Sequence, residues 1–126
     1  MVGSMNRAQQ GYYLEEKKFS KDFEDLGLGV QPETEHYLLS TRITDKAAFN
    51  YVISHDKDVP SYVGGVFSVS LNEVESDASS NEMTMLAIIC EANISGPTIP
   101  LLPTYQNGEL ACGEGTTDFS TIKSYY

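Results

Sequence analysis

The sequence predicts an α+β fold in which a long N-terminal helix lies across one face of a four-stranded antiparallel sheet and a C-terminal loop follows. Three observations predict it: a helical spacing of apolar residues at the start, three runs that alternate with period two, and a fourth run that is apolar on both parities. No helical pattern separates the four runs, so they read as an antiparallel succession rather than as βαβ units. A chain of 126 residues with 40% hydrophobic content suffices for one core and one domain. That domain, 1–126, divides into helix 1–19, helix-to-sheet loop 20–33, sheet 34–92, and loop and tail 93–126.

Met5, Ala8, Tyr12 and Phe19 recur at spacings of three, four and seven, which places them on one helical stripe facing the sheet. Asn6, Arg7, Gln10, Glu15, Lys17 and Lys18 fall mostly elsewhere. Gly11 inside the helix costs up to about 1 kcal/mol relative to alanine, so packing must hold this segment. A short second helical turn is predicted with Ser20 as N-cap, Asp22 and Glu24 in its first turn, and Leu26-Gly27 as its stop.

After Pro32 the period becomes two. Tyr37, Leu39, Thr41 and Ile43 alternate with His36, Leu38, Ser40 and Arg42, ending at the turn Thr44-Asp45-Lys46. Phe49, Tyr51 and Ile53 repeat the pattern, and the charged stretch His55–Pro60 breaks it. A third strand carries Val63, Phe67, Val69 and Leu71 on one face and Gly64, Ser68, Ser70 and Asn72 on the other, closing at the polar run Ser76–Asn81. Met83–Cys90 is apolar on both parities except Thr84, the pattern of an inner strand covered on both faces. Beyond Asn93 periodicity is lost, and Pro97, Pro100 and Pro103 follow the three-residue turn of polyproline II.

Two cysteines, Cys90 and Cys112, either bridge in an oxidising compartment, stapling the C-terminal loop to the sheet, or remain as two reduced buried thiols. A net charge of −10 repels phosphate backbones and anionic membranes, which disfavours general nucleic-acid binding. Arg7, Lys17, Lys18 and Lys21 cluster only in sequence. No run approaches the roughly 18 apolar residues of a membrane span.

Enzyme signatures are missing: the sequence holds no nucleophile elbow, no His-Glu-x-x-His and no Walker motif. Gly113-Glu114-Gly115-Thr116 lacks the lysine and the following apolar helix of a phosphate-cradling loop. His36 and His55 read as surface residues. His55-Asp56-Lys57-Asp58 brings three potential ligands into a turn, its carboxylate oxygens suited to calcium, but without the roughly twelve-residue EF-hand spacing and with a lysine opposing a cation. The expectation is no enzyme, no cofactor and no metal site.

The opening Val2-Gly3-Ser4-Met5-Asn6-Arg7-Ala8-Gln9-Gln10-Gly11-Tyr12-Tyr13-Leu14-Glu15, with Phe19 and Leu26-Gly27-Leu28-Gly29, resembles the type IV pilin-like G and H family, common among cyanobacterial pilins. The sequence match covers roughly the first 30 residues, and the strand order and two late cysteines match in pattern. The resemblance implies a pilin fold, a Cys90–Cys112 bridge bounding the C-terminal loop, and a helix that is the second half of a longer one.

The basic leader, cleavage site, mature-start glutamate and apolar half-helix of pilins are absent from the 126 residues. The expectation is therefore a trimmed ectodomain, monomeric by itself and tied to the membrane only through the missing half. The implied role is that of a major or minor pilin in a type IV pilus or related surface filament, anchored in the inner membrane before assembly and supporting motility, adhesion or DNA uptake. Its partners would be other pilin subunits. Asn6, Arg7, Gln9, Gln10 and Tyr13 are candidates for subunit contacts. The alternative is a filament-borne adhesin binding carbohydrate or a surface receptor, with Tyr105, Tyr125 and Tyr126 as the aromatic contacts. Asn93-Ile94-Ser95 is a formal glycosylation sequon.

Overall fold

The computed structural model describes residues 1–74 and 82–120, and the backbone alone of 124–125. The polar run expected at Ser76–Asn81 lies outside the described residues.

Helix α1 spans Val2–Glu16, 15 residues, and ends where Lys17 turns left-handed at φ 62°. The predicted helix to residue 19 is thus corrected: Phe19 lies beyond the helix, folded back and buried beside Tyr13 with ring centroids 4.6 Å apart. A 3-10 turn follows at Phe23–Leu26, closed by Gly27 at φ 62° in the conformation only glycine adopts without strain. Its N-cap position is held by Asp22, not Ser20. Ser20 Oγ instead accepts a hydrogen bond from the Asp22 amide at 3.1 Å, bracing the approach to the turn.

Strands β1 (Tyr37–Ile43), β2 (Ala47–Ser54), β3 (Tyr62–Ser70) and β4 (Met83–Ala92) form an antiparallel meander in sequence order. The turn between β1 and β2 falls on Thr44-Asp45-Lys46, where the Thr44 amide bonds the Ala47 carbonyl at 2.8 Å. Strand β3 ends at Ser70, two residues short of the expected Asn72, and Leu71–Val74 forms a single helical turn, α2.

In the C-terminal region, β5 (Thr104–Gln106) and β6 (Glu109–Ala111) make a separate hairpin, while β7 (Thr116–Asp118) and β8 (Ser124–Tyr125) both pair with β4. The sheet thus runs through five strands rather than four, in the order β1-β2-β3-β4-β7, and β8 pairs with β4 as a sixth. Strands of two or three residues carry no readable period, so by sequence this region resembles a loop. Once β1 to β4 are laid down, the outer edge of β4 is unpaired, and the returning chain satisfies it.

Covering on both faces of β4 is observed. Met85 and Ile89 point towards α1, whereas Leu86, Ile88 and Cys90 join Phe49, Tyr51, Val63, Phe67 and Val69 on the opposite side. The apolar stripe of β3 therefore faces away from the helix and is covered by the C-terminal segment through Leu102, Tyr105, Leu110 and Cys112. Gly65 lets Pro103 approach the strand closely, since a Cβ there would stand 2.9 Å from Pro103 Cγ.

Cys90 and Cys112 are disulfide-bonded, with Cα atoms 5.7 Å apart and a sequence separation of 22. Closing such a loop stabilises the fold by about 3 kcal/mol in the chain-entropy account. Reduction is expected to lower stability by about that amount in chemical denaturation, with proteolysis beginning in 93–112. Equal midpoints for the oxidised and reduced chains would show that the staple contributes nothing.

Candidate assembly face

The helix meets the sheet through polar side chains. Asn6, Gln9 and Gln10 are 4%, 0% and 2% exposed, so the expectation that they face neighbouring subunits is corrected. Asn6 takes part in two bonds: its Oδ1 accepts from Asn50 Nδ2 at 2.8 Å, and its Nδ2 donates to the Ile88 carbonyl at 3.2 Å. Gln9 pairs with the Ser20 backbone as a neighbouring strand would. The Ser20 amide donates to Gln9 Oε1 at 2.9 Å, and Gln9 Nε2 donates to the Ser20 carbonyl at 2.7 Å. The same nitrogen reaches Thr41 Oγ1 at 3.0 Å, and Thr41 Oγ1 lies 2.8 Å from Asn50 Oδ1. Helix, post-helix loop, β1 and β2 are thereby held in one buried network. Gln10 Nε2 has no hydrogen-bond partner among the described residues.

Gly64 gives this seam its closeness. It lies on the helix side of β3, and a Cβ there would stand 2.4 Å from Asn6 Oδ1 and 2.8 Å from Val2 Cγ2. Sequence reasoning missed Thr41, Asn50 and Gly64. The available signals were an asparagine within the apolar run of β2 and the Gly64-Gly65 pair in a strand, which marks close approach by another element.

Of the four residues proposed for helix-to-sheet packing, Met5 and Phe19 are buried, while Ala8 and Tyr12 are half-buried. Of the remaining contact candidates, Arg7 is exposed and donates to Ser4 Oγ at 3.3 Å; Tyr13 is half-buried, its hydroxyl accepting from Ser68 Oγ at 3.2 Å. The outward face thus presents Arg7, Gly11, Leu14 and Glu15, with Leu14 57% exposed. Beside it, Tyr13, Leu14, Lys17, Met83 and Met85 line a cleft of about 250 Å³ that runs from the helix end to β4. A face with one cation, one exposed leucine and an adjoining cleft suits contact with a partner better than an all-charged one would.

The other residues singled out lie away from this face. Tyr105 is half-buried on the opposite side of the sheet. Tyr125 is described only by its strand pairing with Leu86, and Tyr126 lies outside the described residues. His36 Nδ1 contacts Asp56 Oδ2, and His55 Nε2 contacts Glu33 Oε2, each at 3.3 Å and on the surface. Among the described residues no group of three or more ligating side chains is arranged for a metal ion, and no helix is long and apolar enough to cross a membrane.

Near the N-terminal end of α1, Tyr62 donates to Glu91 Oε2 at 2.6 Å and packs edge-on against Phe119. Burial, reinforced by Glu91, pushes the Tyr62 phenol from its ordinary 10.0 up to about 12. The folded chain holds this proton more tightly than the unfolded one. Its stabilising contribution is complete below pH 10 and is lost as pH rises towards about 12. Tyr62→Phe is expected to flatten the fall in melting temperature across that range, and an identical fall in both proteins would refute the assignment.

No curated protein and no solved structure matches the chain. The type IV pilin-like G and H family does, over residues 1–113. That span takes in α1, the polar seam, the β1–β4 meander and both bridged cysteines, and the chain belongs to this family.

Proposed function

We propose that this protein is a structural subunit, a major or minor pilin, of a type IV pilus or related extracellular filament. The family match over residues 1–113 carries the reading. The geometry supports it: α1 is fastened to the sheet by a buried network, which leaves Arg7, Leu14 and the cleft beside Met83 to meet other pilin subunits. Motility, adhesion and DNA uptake are the tasks such a filament would serve, and anchoring in the inner membrane before assembly belongs to the same proposal.

The test is made in cells. Filaments sheared from the surface should contain this chain, and a Leu14→Cys variant should give subunit-to-subunit crosslinks within them. Filaments that lack the chain, with an unchanged filament count after gene deletion, would refute a structural role.

A further inference from the structure

The sheet face opposite the helix is not covered to its end. Near the β1–β2 turn the C-terminal segment leaves a cavity of about 450 Å³, within the usual range for small-molecule sites. Its floor is the buried pair Phe49 and Phe67, each 8% exposed, and its aromatic wall is the half-buried Tyr105. Phe49 and Phe67 meet edge-on with centroids 5.7 Å apart, and the half-buried Tyr105 ring leans on Phe67 at 6.0 Å. Lys46, Ser70 and Glu73 bring polar groups to its rim. We propose that this cavity binds a neutral saccharide, one pyranose ring stacking its C–H face on the aromatic wall while its hydroxyls bond Glu73 and Lys46.

Each property of the site narrows the ligand. Lys46 on the rim opposes a cation. An anion meets both Glu73 and a chain of net charge −10. What remains is an uncharged molecule with an apolar face and hydroxylated edges.

Glu73 is positioned to accept those hydroxyls. The Tyr105 hydroxyl donates to Glu73 Oε2 at 3.3 Å and the Ser70 amide donates to the same oxygen at 3.2 Å. Among the described residues Oε1 therefore keeps its lone pairs for a ligand. Close packing fixes the wall against the rim, since a Cβ at Gly108 in the β5–β6 turn would stand 2.8 Å from the Glu73 carbonyl. The site does not depend on the filament reading, and either can fail without the other.

Saturation-transfer NMR on the 126-residue chain tests it with methyl glycosides of glucose, galactose and N-acetylglucosamine, beside tetramethylammonium and a capped tetra-alanine peptide. Transfer is expected to the ring C–H protons of at least one glycoside, with amide shifts gathered at Lys46, Ser70, Glu73 and Tyr105. Tyr105→Ala and Glu73→Gln should each weaken that binding about tenfold, while Tyr62→Phe leaves it unchanged. Glu73→Gln conserves shape and keeps the test valid if Tyr105→Ala fails to fold. Silence from every glycoside, unaltered binding in Glu73→Gln, shifts elsewhere on the surface, or occupancy by the ammonium or the peptide instead would each overturn the proposal.

Discussion

Gln9→Leu is expected to destabilise the protein by about 3 kcal/mol, although it puts an apolar side chain of similar size into a fully buried position. Burying the leucine contributes about 1.5–3 kcal/mol. Against that gain, the substitution removes every partner Gln9 supplies. The Ser20 amide and carbonyl, both held at 2.9 Å or less, lose their bonds, and Thr41 Oγ1 loses a donor. Ser20 is itself 3% exposed, so water does not replace what is lost, and each orphaned buried group costs about 1–3 kcal/mol. Gln9→Glu separates geometry from charge: its carboxylate still accepts from the Ser20 amide but turns a second oxygen towards the Ser20 carbonyl. That variant should recover stability as pH falls through the glutamate range, whereas Gln9→Leu should not. Urea denaturation with an unchanged m-value provides the measurement, and a loss under about 1 kcal/mol for Gln9→Leu would show the seam to be incidental.

The same residue explains what was legible in the sequence. Strands β1 to β3 could be read because alternation survives wherever one sheet face is more apolar than the other, as in Phe49-Asn50-Tyr51, and β4 because it is apolar on both parities. The helix could be read too, but not its orientation. A hydrophobic stripe through Met5, Ala8, Tyr12 and Phe19 assumes that the inward face is apolar, whereas the observed inward face is Val2, Met5, Asn6 and Gln9. Two polar surfaces that satisfy each other leave no trace in hydropathy, because each looks solvent-exposed until its partner is known. Asn50 and Gly64 lie 44 and 58 positions from Asn6, beyond the reach of any local period. The bridge was legible from cysteine count and family likeness, whereas β7 and β8 were not, since an unpaired edge of β4, not their own composition, makes them strands.

Gly64→Ala is expected to cost about 3 kcal/mol, while Gly11→Ala, the same methyl added to the facing helix, is expected to stabilise by up to about 1 kcal/mol. Neither glycine has a positive φ, so backbone strain does not distinguish them. Space does. Gly11 is exposed, a Cβ added to it would meet nothing within 4 Å, and alanine there only reduces the freedom of the unfolded chain. At position 64 the added carbon meets Asn6 Oδ1 at 2.4 Å, and Asn6 cannot swing aside without breaking its bonds to Asn50 and Ile88. The helix must lift instead, and every contact from Val2 to Gln9 loosens with it. Shortening the obstructing side chain should recover part of the loss, so Gly64→Ala with Asn6→Ala should cost less than the sum of the single changes. Strict additivity in that cycle, or a melting temperature that rises with Gly64→Ala, would mean that the helix does not rest on β3 as closely as the structure places it.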